Sequence, residues 1–381
     1  MSKNTSENTL SENTLRKDNV LICIDPEPCE ELDYIKANFC GVVYDSNDVT
    51  GLSSDIMIYI CGNIELINNK FETFRIIKEL SIGYETTNYT LVSTSEVPVN
   101  IHNVGVYFKS FFNADKDYFS LLSNEHEFQA LSESNKPGSA YRKGIYLTKV
   151  EESNNEIKYN LLRCSTNLDG PTDNFRNTDY EVINKVNEIS KYFFEQKVEL
   201  NHVLAQIYNN TVENNKDKKA KIKEHSDKTK DMPRNALMAF CTFYKGSCNN
   251  ENSLTKLRFR LKKMITDKNL VEKFDLILSP NSVFIMLLQM NRLYTHEIIP
   301  PILPVGKIPT RMGYVIRCSK TQAVFKNGQT YIGDKPLEKP TENDITELKN
   351  LYFKENATDE IVEYGPIYYS LNDGDYLAPI Q

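Results

Sequence analysis

The stretch FDLILSPNSVFIMLLQMNRLYTHEI, residues 274–298, decides which fold the sequence predicts. It contains short apolar runs, and the turn residues Pro280 and Asn281 separate the first run from the second. Runs of this length bounded by proline and asparagine are typical of β-strands, because helices need longer periodic segments. We therefore expect a buried strand that leads through a short loop to a second strand, which bears His296.

Further strand patterns surround this stretch on both sides. The clearest helix precedes them in DYEVINKVNEISKYFFEQ, residues 179–196, because its apolar residues recur at spacings of three and four. The strand patterns are HVLAQIY (202–208), ALMAFCTFY (236–244), LTKLRFRLK (254–262) and RMGYVIRCS (311–319). A helix followed by many short strands predicts an α+β fold, in which helices buttress a jelly roll, or double-stranded β-helix.

Composition and pattern divide the chain into four parts. The first is a polar tail with SENTL twice, which we expect to be disordered, and the second is a small α/β region of unknown role. The third is the β-rich domain, and the fourth is a C-terminal extension that we expect to pack on it. The predicted ranges are 1–18, 19–100, 101–335 and 336–381.

Three local patterns refine this division. In the second part, VLICID and DIMIYICG predict strands, and NNKFETFRIIKELSI, residues 68–82, predicts a helix with its apolar residues near one face. Near the end of the third part, VFKNGQTYI carries the Asn327-Gly328 signature of a tight hairpin. In the fourth part, TENDITELKNLYF predicts a helix that Thr341 caps.

The overall charge limits the partners of this 381-residue chain. Its formal net charge is −7 and its pI is near 5.5, so nucleic-acid binding would need a local basic patch. Its eight cysteines form no C-x-x-C pair and no zinc spacing, as expected in a reducing compartment. No apolar run has the length of a membrane span or of a signal peptide, so we predict an intracellular protein, cytoplasmic or nuclear, without a membrane partner. The sequence leaves the oligomeric state open.

The segment KIKEHSDKTKD, residues 221–231, holds one of the five histidines of the chain. In a strand, His225 and Asp227 would point to the same face, so an imidazole and a carboxylate would converge on one point. This arrangement offers two ligands to a metal ion. The alternative is a solvated, charged surface loop, which the surrounding lysines favour when the segment is considered alone.

His296, on the second predicted strand of the opening stretch, is the candidate third ligand. Two neutral imidazoles and one carboxylate that leave coordination positions open make the facial triad of non-haem Fe(II) oxygenases. The alternative for His296 is a histidine that is simply hydrogen-bonded at a strand end. Of the other histidines, His102 and His126 lie early, without a site-like context, and His202 opens a strand.

Two arginines lie beyond His296 in RMGYVIRCS. Arg311 and Arg317 are six residues apart, and an even spacing puts both guanidinium groups on one face of a strand. The residues between them are mostly apolar, so both charges need anionic partners. A dicarboxylate could serve, because each guanidinium group offers a bidentate fork. Pairing with acidic side chains of the protein is the alternative.

In this order, H-x-D, H and R-x5-R resemble the AlkB-like branch of the Fe(II)/2-oxoglutarate dioxygenases. The resemblance covers roughly residues 105–330. It includes HVLAQIYNN, which is similar to the strand of the family that carries N-x-Y, and EHSDKTKD, which is similar to its H-x-D-K segment. The other matching residues are Arg292, Leu293 and His296 of R-L-x-x-H, and both arginines of R-x5-R.

The resemblance implies a role for each matching position. His225, Asp227 and His296 would bind Fe(II) and act as the catalytic centre, with O2 and 2-oxoglutarate as cosubstrates. The remaining implied roles concern 2-oxoglutarate: Arg311 would bind its distal carboxylate, helped by Tyr208 and Gln206, and Arg317 would lie near the carboxylate that chelates iron.

Departures from the family pattern concern the substrate. Gln206 stands where the family has asparagine, Thr229 stands where the bacterial repair enzyme has an acidic base-reading residue, and tryptophan is absent. The loop 216–230 could bind DNA or RNA phosphates, or its lysines could be a solvated run diluted by acidic residues. These lysines are Lys216, Lys218, Lys219, Lys221, Lys223, Lys228 and Lys230.

The implied function is hydroxylation or oxidative demethylation of a substrate, with a methylated nucleic-acid base as the leading candidate. A protein side chain or a small molecule is the first alternative, which the acidic pI favours. A non-catalytic binding protein on the same fold is the second alternative, and the intact set of ligands and arginines argues against it.

Overall fold

The computed structural model of the protein describes residues 13–46, 52, 55–67, 74–85, 89–132, 138–164, 167–246, 248 and 250–381. Its first sheet consists of parallel strands in the order β2-β1-β3-β4-β5, with helix α1 between β1 and β2 in the chain. The strands are β1 Val20–Ile24, β2 Val42–Tyr44, β3 Ile58–Asn63, β4 Phe74–Ile82 and β5 Thr90–Val92, and α1 is Glu30–Asn38.

Strand β4 corrects the helix predicted over 68–82, of which residues 68–73 lie outside the described residues. Ile76 belongs to the small apolar cluster on one side of the first sheet, whereas Ile77 belongs to the main core on the other side. Because both faces are covered, both isoleucines are buried, and consecutive buried residues do not distinguish a strand from a helix. The β-branched side chains favour the strand.

The next part of the chain leads into the β-rich domain. Its strands are β6 Val99–Ile101, β7 Gly105–Phe108, β8 Gln129–Ser132, β9 Ser139–Thr148, β10 Val150–Ser153, β11 Glu156–Leu161 and β12 Asp173–Asn174. Its helices are α2 Tyr118–Glu125 and α3 Asn177–Phe193. The apolar face predicted for α3 is the buried one: Val182, Ile183, Val186 and Phe193 join the main core, and Ile189 packs against it partly buried.

The barrel itself follows α3. Its strands are β13 His202–Tyr208, the hairpin β14 Thr211–Glu213 and β15 Lys216–Lys218, then β16 Ile222–His225, β17 Leu237–Tyr244, β18 Lys256–Leu261, β19 Lys273–Ile277, β20 Ser282–Leu287, β21 Tyr294–Ile299 and β22 Arg311–Arg317. A short helix, α4 Met290–Leu293, precedes β21.

Two antiparallel sheets alternate along this part of the chain. One contains β13-β22-β17-β20, extended at its edges by β9 and β7, and the other contains β16-β21-β18-β19. Apart from the hairpin β14-β15, which forms a sheet of its own, successive strands change sheets except at the step from β18 to β19. This winding is a double-stranded β-helix, and it confirms the predicted fold class.

The C-terminal part begins with strands β23 Thr321–Lys326, β24 Gln329–Ile332 and β25 Lys335–Pro336. The predicted hairpin joins β23 and β24, with positive φ angles of 51° at Asn327 and 77° at Gly328. Helix α5, Glu342–Ala357, begins after Thr341, whose side chain accepts a hydrogen bond from the backbone N–H of Asp344. None of the helices in the described ranges is long and apolar enough to cross a membrane.

The predicted disordered tail is too long by several residues. Residues 1–12 lie outside the described residues, but Asn13 is buried and donates hydrogen bonds to the carbonyls of Gln196 and Asn235 at 3.1 and 3.3 Å. Leu15 forms a β-bridge with Phe194. These contacts lie more than 170 residues away in the chain, so the local composition gave no sign of them. The other domain boundaries stay predictions of the sequence.

A buried histidine ties the helices to the barrel. His126, directly after α2, lies 2.7 Å from a carboxylate oxygen of Asp173 on one ring nitrogen and 2.7 Å from Asp179 on the other. The second oxygen of Asp179 accepts a 2.6 Å hydrogen bond from the hydroxyl of Tyr314 on β22. Burial alone would lower the pKa of His126, but the two carboxylates outweigh it and raise the pKa to about 9.

This pairing predicts a pH-dependent stability. Because the pKa of His126 is higher in the folded protein than in the unfolded chain, its contribution is complete below about pH 6.5 and is lost as the pH rises through about 9. His126→Gln should lower the free energy of unfolding by about 3–5 kcal/mol at pH 6, since buried carboxylates lose their partner. Urea unfolding of both proteins from pH 6 to 9.5 tests this. A difference that does not shrink toward high pH would contradict it.

Candidate metal and anion site

Strand pairing brings the three candidate ligands together. His225 at the end of β16 lies directly opposite His296 on β21, and their ring centroids are 4.4 Å apart. Oδ1 of Asp227 lies 3.5 Å from Nε2 of His225 and 3.8 Å from Nε2 of His296. Metal bonds of about 2.0–2.2 Å keep two ligand atoms of one ion within about 4.4 Å, so a single ion could contact all three. The donor set therefore fits one divalent transition-metal ion.

The protonation of the three candidate ligands decides whether they can bind a metal. Nδ1 of His225 lies 2.8 Å from the carbonyl oxygen of Lys223, which can only accept a hydrogen bond, so the tautomer with its proton on Nδ1 would present the Nε2 lone pair to a metal. Burial, followed by the nearby His225, lowers the pKa of His296 to about 3, so this imidazole is neutral. Burial would raise the pKa of Asp227, but the guanidinium group of Arg317 outweighs it and holds the pKa below its usual range.

Arg317 contacts the candidate ligand Asp227 directly. Its Nε and Nη2 atoms donate to Oδ2 at 2.8 and 2.7 Å, and both side chains are almost completely buried. This pair leaves Oδ1 to face the histidines. The resemblance implied that Arg317 lies near the cosubstrate carboxylate that chelates iron; that role stays a prediction, and the structure shows the guanidinium group bonded to Asp227.

Asn291 on α4 holds the backbone of the same residue. Its side-chain oxygen accepts from the Asp227 N–H at 2.8 Å, and its amide group donates to the Asp227 carbonyl at 2.8 Å. The sequence analysis missed Asn291. The available signal was an asparagine in a predominantly apolar stretch, because a buried amide must find hydrogen-bond partners.

Helix α5 packs against the loop that carries the candidate ligands. Oδ1 of Asn356 accepts from the backbone N–H of Ser226, between the two ligands, at 2.6 Å. The carboxylate of Glu355 accepts from the hydroxyl and the N–H of Thr229. The C-terminal extension therefore positions the loop that carries the candidate ligands, a role that the sequence patterns gave no sign of because these contacts span about 130 residues of chain.

Asn356→Ala should weaken metal binding as well as stability. It leaves the buried N–H of Ser226 without its acceptor, which costs about 1–3 kcal/mol, and it loosens the segment between His225 and Asp227. Mn(II) titration and urea unfolding measure the two effects. Asn343→Ala, on the exposed side of the same helix, is the matched control. Unchanged Mn(II) affinity in Asn356→Ala would contradict this positioning role.

The seven lysines of the loop 216–230 differ in burial, and Lys218 and Lys219 are half-buried. Lys216, Lys221 and Lys223 are exposed. Nζ of Lys228, in contrast, lies 4.4 Å from the ring centroid of Tyr352 on α5, and Nζ of Lys230 donates to the hydroxyl of Tyr352 at 2.8 Å. Burial lowers the pKa of Lys228, and it lowers that of Lys230 to about 7. Neither the solvated run nor the phosphate-binding rim therefore describes these last two lysines.

The other candidate residues lie on the inner face of the larger sheet. Arg311 is 3% exposed, and its guanidinium group lies 4.0 Å from the ring centroid of Tyr208, its direct partner on β13. Among the described residues, its Nε and Nη2 atoms have no hydrogen-bond partner. Gly313 leaves room for this arrangement, because a Cβ atom there would lie 2.9 Å from Nη1 of Arg311. A buried, unpaired guanidinium group calls for an anion.

Gln206 lies on the same face, and its neighbours include one residue that the sequence analysis missed. The side-chain oxygen of Gln206 accepts from the hydroxyl of Tyr208 at 3.2 Å and from Nη1 of Arg142 on β9 at 3.2 Å. Arg142 is the direct partner of Tyr208 on the strand opposite Arg311. In the strand pattern YRKGIYLTKV, every second residue shares a face with Arg142, but the sequence does not say which strand lies beside this one. Only the strand order shows that the face of Arg142 is also the face of Tyr208 and Gln206.

Comparisons with known proteins add only a likeness of fold. No protein-family model and no curated protein matches the chain. A Pseudomonas putida prolyl-4-hydroxylase is 10% identical, with 56% of this chain and 91% of that chain covered and a TM-score of 0.34. The protein OsALKBH1 is 13% identical, with 58% and 99% covered and a TM-score of 0.35. SnoN, a non-haem α-ketoglutarate-dependent epimerase of nogalamycin biosynthesis, is 8% identical, with 58% and 80% covered and a TM-score of 0.33.

Proposed function

We propose that the protein is an Fe(II)- and 2-oxoglutarate-dependent oxygenase. The proposal rests on two groups of residues that lie inside the same barrel. Asp227 and two histidines meet at one point, and Arg311 has hydrogen-bond donors without a partner among the described residues. The three ligands would hold Fe(II) and leave positions open for cosubstrates. We assign Arg317 and Asn291 to holding Asp227 in place.

The anion proposed for Arg311 is the distal carboxylate of 2-oxoglutarate. A guanidinium group binds a carboxylate through two parallel hydrogen bonds, and both Nε and Nη2 are available for this purpose. Tyr208 and Gln206 lie beside it, and because the Tyr208 hydroxyl donates to the side-chain oxygen of Gln206, the NH2 group of Gln206 could add the further donor. The opposite end of this keto acid, with its 2-oxo and carboxylate oxygens, would chelate the metal.

Iron, O2 and 2-oxoglutarate together supply the oxidising power for hydroxylating a substrate C–H bond, with release of succinate and CO2. The protein contributes orientation and exclusion of water. The rings of Phe240 and Phe259 lie 5.6 and 5.9 Å from the ring of His296 and cover that side of the site. The side chain of His225 is 33% exposed, so we place substrate entry on its side.

As substrate we propose a methylated nucleic-acid base, with hydroxylation leading to demethylation. The exposed Lys221 and Lys223 support this choice, because they lie directly before His225 and could contact phosphates. A protein side chain or a small molecule is the second candidate. It is favoured by the burial of Lys228 and Lys230, which reduces the basic surface, and by the hydrogen bonds that engage Thr229 with Glu355.

Succinate release against a panel of methylated DNA, methylated RNA and methylated peptides tests this function. We expect release that requires Fe(II) and rises with a methylated oligonucleotide, and that falls when salt is added or when Lys221 and Lys223 are replaced by alanine. Stimulation by peptides alone would replace the nucleic-acid substrate with the second candidate. Failure of the protein to bind 2-oxoglutarate in the presence of a divalent metal would refute the oxygenase itself and favour a binding protein.

A further inference from the structure

Arg142 shares the inner sheet face with the residues proposed to bind the cosubstrate. It is paired with Tyr208 in the register of β9 and β13, and Tyr208 is paired with Arg311 on its other side. Direct partners on antiparallel strands point to the same face of a sheet. Tyr208 therefore lies between two arginines, of which the sequence analysis had considered one.

The hydrogen bonds of Arg142 determine how Gln206 is oriented. One oxygen of the carboxamide accepts from both Nη1 of Arg142 and the hydroxyl of Tyr208. An atom with two donors must be the oxygen, so the NH2 group of Gln206 points the other way and offers two hydrogen-bond donors. Without Arg142, the carboxamide could turn and present its oxygen, which would repel a carboxylate.

The two arginines on this face also have hydrogen-bond donors without a partner among the described residues. Nε of Arg142 is buried and has no hydrogen-bond partner among the described residues, as is true of Nε and Nη2 of Arg311. Within the described ranges, neither arginine forms an ion pair with a carboxylate of the protein. Two guanidinium groups on one partly buried face raise the local positive potential and favour an anion with a full negative charge at this end.

We propose that Arg142 is a positioning residue for the distal carboxylate of the cosubstrate. It acts through Gln206, whose NH2 group it turns toward the carboxylate, and it adds a second positive charge beyond Arg311. This inference rests on the proposed function and adds a specificity: the site selects 2-oxo acids that carry a second carboxylate. A 2-oxo acid without this carboxylate can chelate the metal but gains nothing from Arg142.

Binding of two ligands to the Mn(II)-loaded protein, measured by anaerobic calorimetry, tests the inference. In Arg142→Met, the Kd for 2-oxoglutarate should rise about tenfold, the loss of roughly one charge-assisted interaction. The Kd for 2-oxovalerate, which lacks the distal carboxylate, should change by less than about twofold. Arg142→Lys should recover part of the loss, and Lys143→Met, whose side chain is exposed on the same strand, should bind both ligands like wild type.

A double substitution separates positioning from a general structural effect. If Arg142 acts through Gln206, the losses of Arg142→Met and Gln206→Leu are not additive, and the double variant binds 2-oxoglutarate only slightly worse than Gln206→Leu alone. Equal weakening of 2-oxoglutarate and 2-oxovalerate, or full additivity, would overturn the inference. If Arg142→Met does not fold, the lysine variant carries the same comparison of the two ligands.

The failure of this inference is distinct from failure of the proposed function. Wild-type protein that binds neither 2-oxo acid with Mn(II) would refute the oxygenase proposal. Wild-type protein that binds 2-oxoglutarate, together with an Arg142→Met variant of equal affinity, would refute only the role of Arg142.

Discussion

His225→Ala should abolish the weak visible absorption band that wild-type protein develops anaerobically with Fe(II) and 2-oxoglutarate. The band would require the keto acid to chelate iron, and in the proposed function His225, Asp227 and His296 would hold that iron. Loss of one of three ligands should weaken metal affinity by more than the roughly 10–100-fold that altered outer contacts cost. Succinate release should fall to the level without iron.

His225 is the most informative ligand to replace, because its side chain is 33% exposed whereas that of Asp227 is 6% exposed. Removing Asp227 would leave Arg317 buried and unpaired, at a cost of about 3–5 kcal/mol, so lost activity could reflect unfolding. His225→Ala should unfold at nearly the same urea concentration as wild type. His102→Ala replaces an exposed histidine elsewhere and should keep the band. A band that persists in His225→Ala would refute the assigned metal site.

Arg311→Met should raise the Kd for 2-oxoglutarate by a factor of about 100 or more, since two charge-assisted hydrogen bonds are lost together. Metal affinity should stay within about twofold of wild type, because Arg311 contacts none of the three ligands. Calorimetry with the Mn(II)-loaded protein measures the first quantity, and Mn(II) titration measures the second. Equal losses of both affinities would contradict the assignment of Arg311 to the distal carboxylate.

The free energy of unfolding of Arg311→Met provides a control, because it should not fall when the affinity for 2-oxoglutarate falls. Arg311 is buried, and its Nε and Nη2 atoms have no hydrogen-bond partner in the part of the chain that the structure describes, so methionine should not lower the free energy of unfolding of the ligand-free protein and could raise it. 2-Oxoglutarate at about 100 times the wild-type Kd should stabilise the wild type by about 2.7 kcal/mol, and Arg311→Met, with its roughly 100-fold higher Kd, by only about 0.4 kcal/mol. A variant that is strongly destabilised without ligand would indicate that Arg311 pairs with the protein instead.

Part of this site could be predicted because it depends on short spacings. Arg311 and Arg317 are six residues apart on β22, and the alternation of a strand turns this even spacing into a shared face. His225 and Asp227 are two residues apart, but β16 ends at His225, so the loop after the strand, and not strand alternation, brings Asp227 to His225. The jelly roll likewise followed from short apolar runs bounded by turn residues. The structure then brings His225 and His296 into register, as the proposed site requires.

Other features could not be predicted, because they depend on which distant segments pack together. Arg317 bonds to Asp227, 90 residues away, and Asn356 reaches Ser226 from 130 residues away. No local pattern distinguishes these partners from the many acidic and polar residues of the chain. The same limit applies to β4. Apolar residues pack on both faces of its sheet, so two consecutive isoleucines are buried and the alternation that marks a strand is lost.

The sequence by itself determined the kinds of donor at the site and the strands that carry them, because chemistry and periodicity are local properties. Only the tertiary structure decided which atoms are already engaged and which remain available. Asp227 has one oxygen held by Arg317 and one facing the histidines, whereas Arg311 keeps unpaired donors. Burial makes a partner necessary for each charge, and the order of strands decides which partners are within reach: a carboxylate of the protein reaches Arg317, whereas within the described ranges none reaches Arg311.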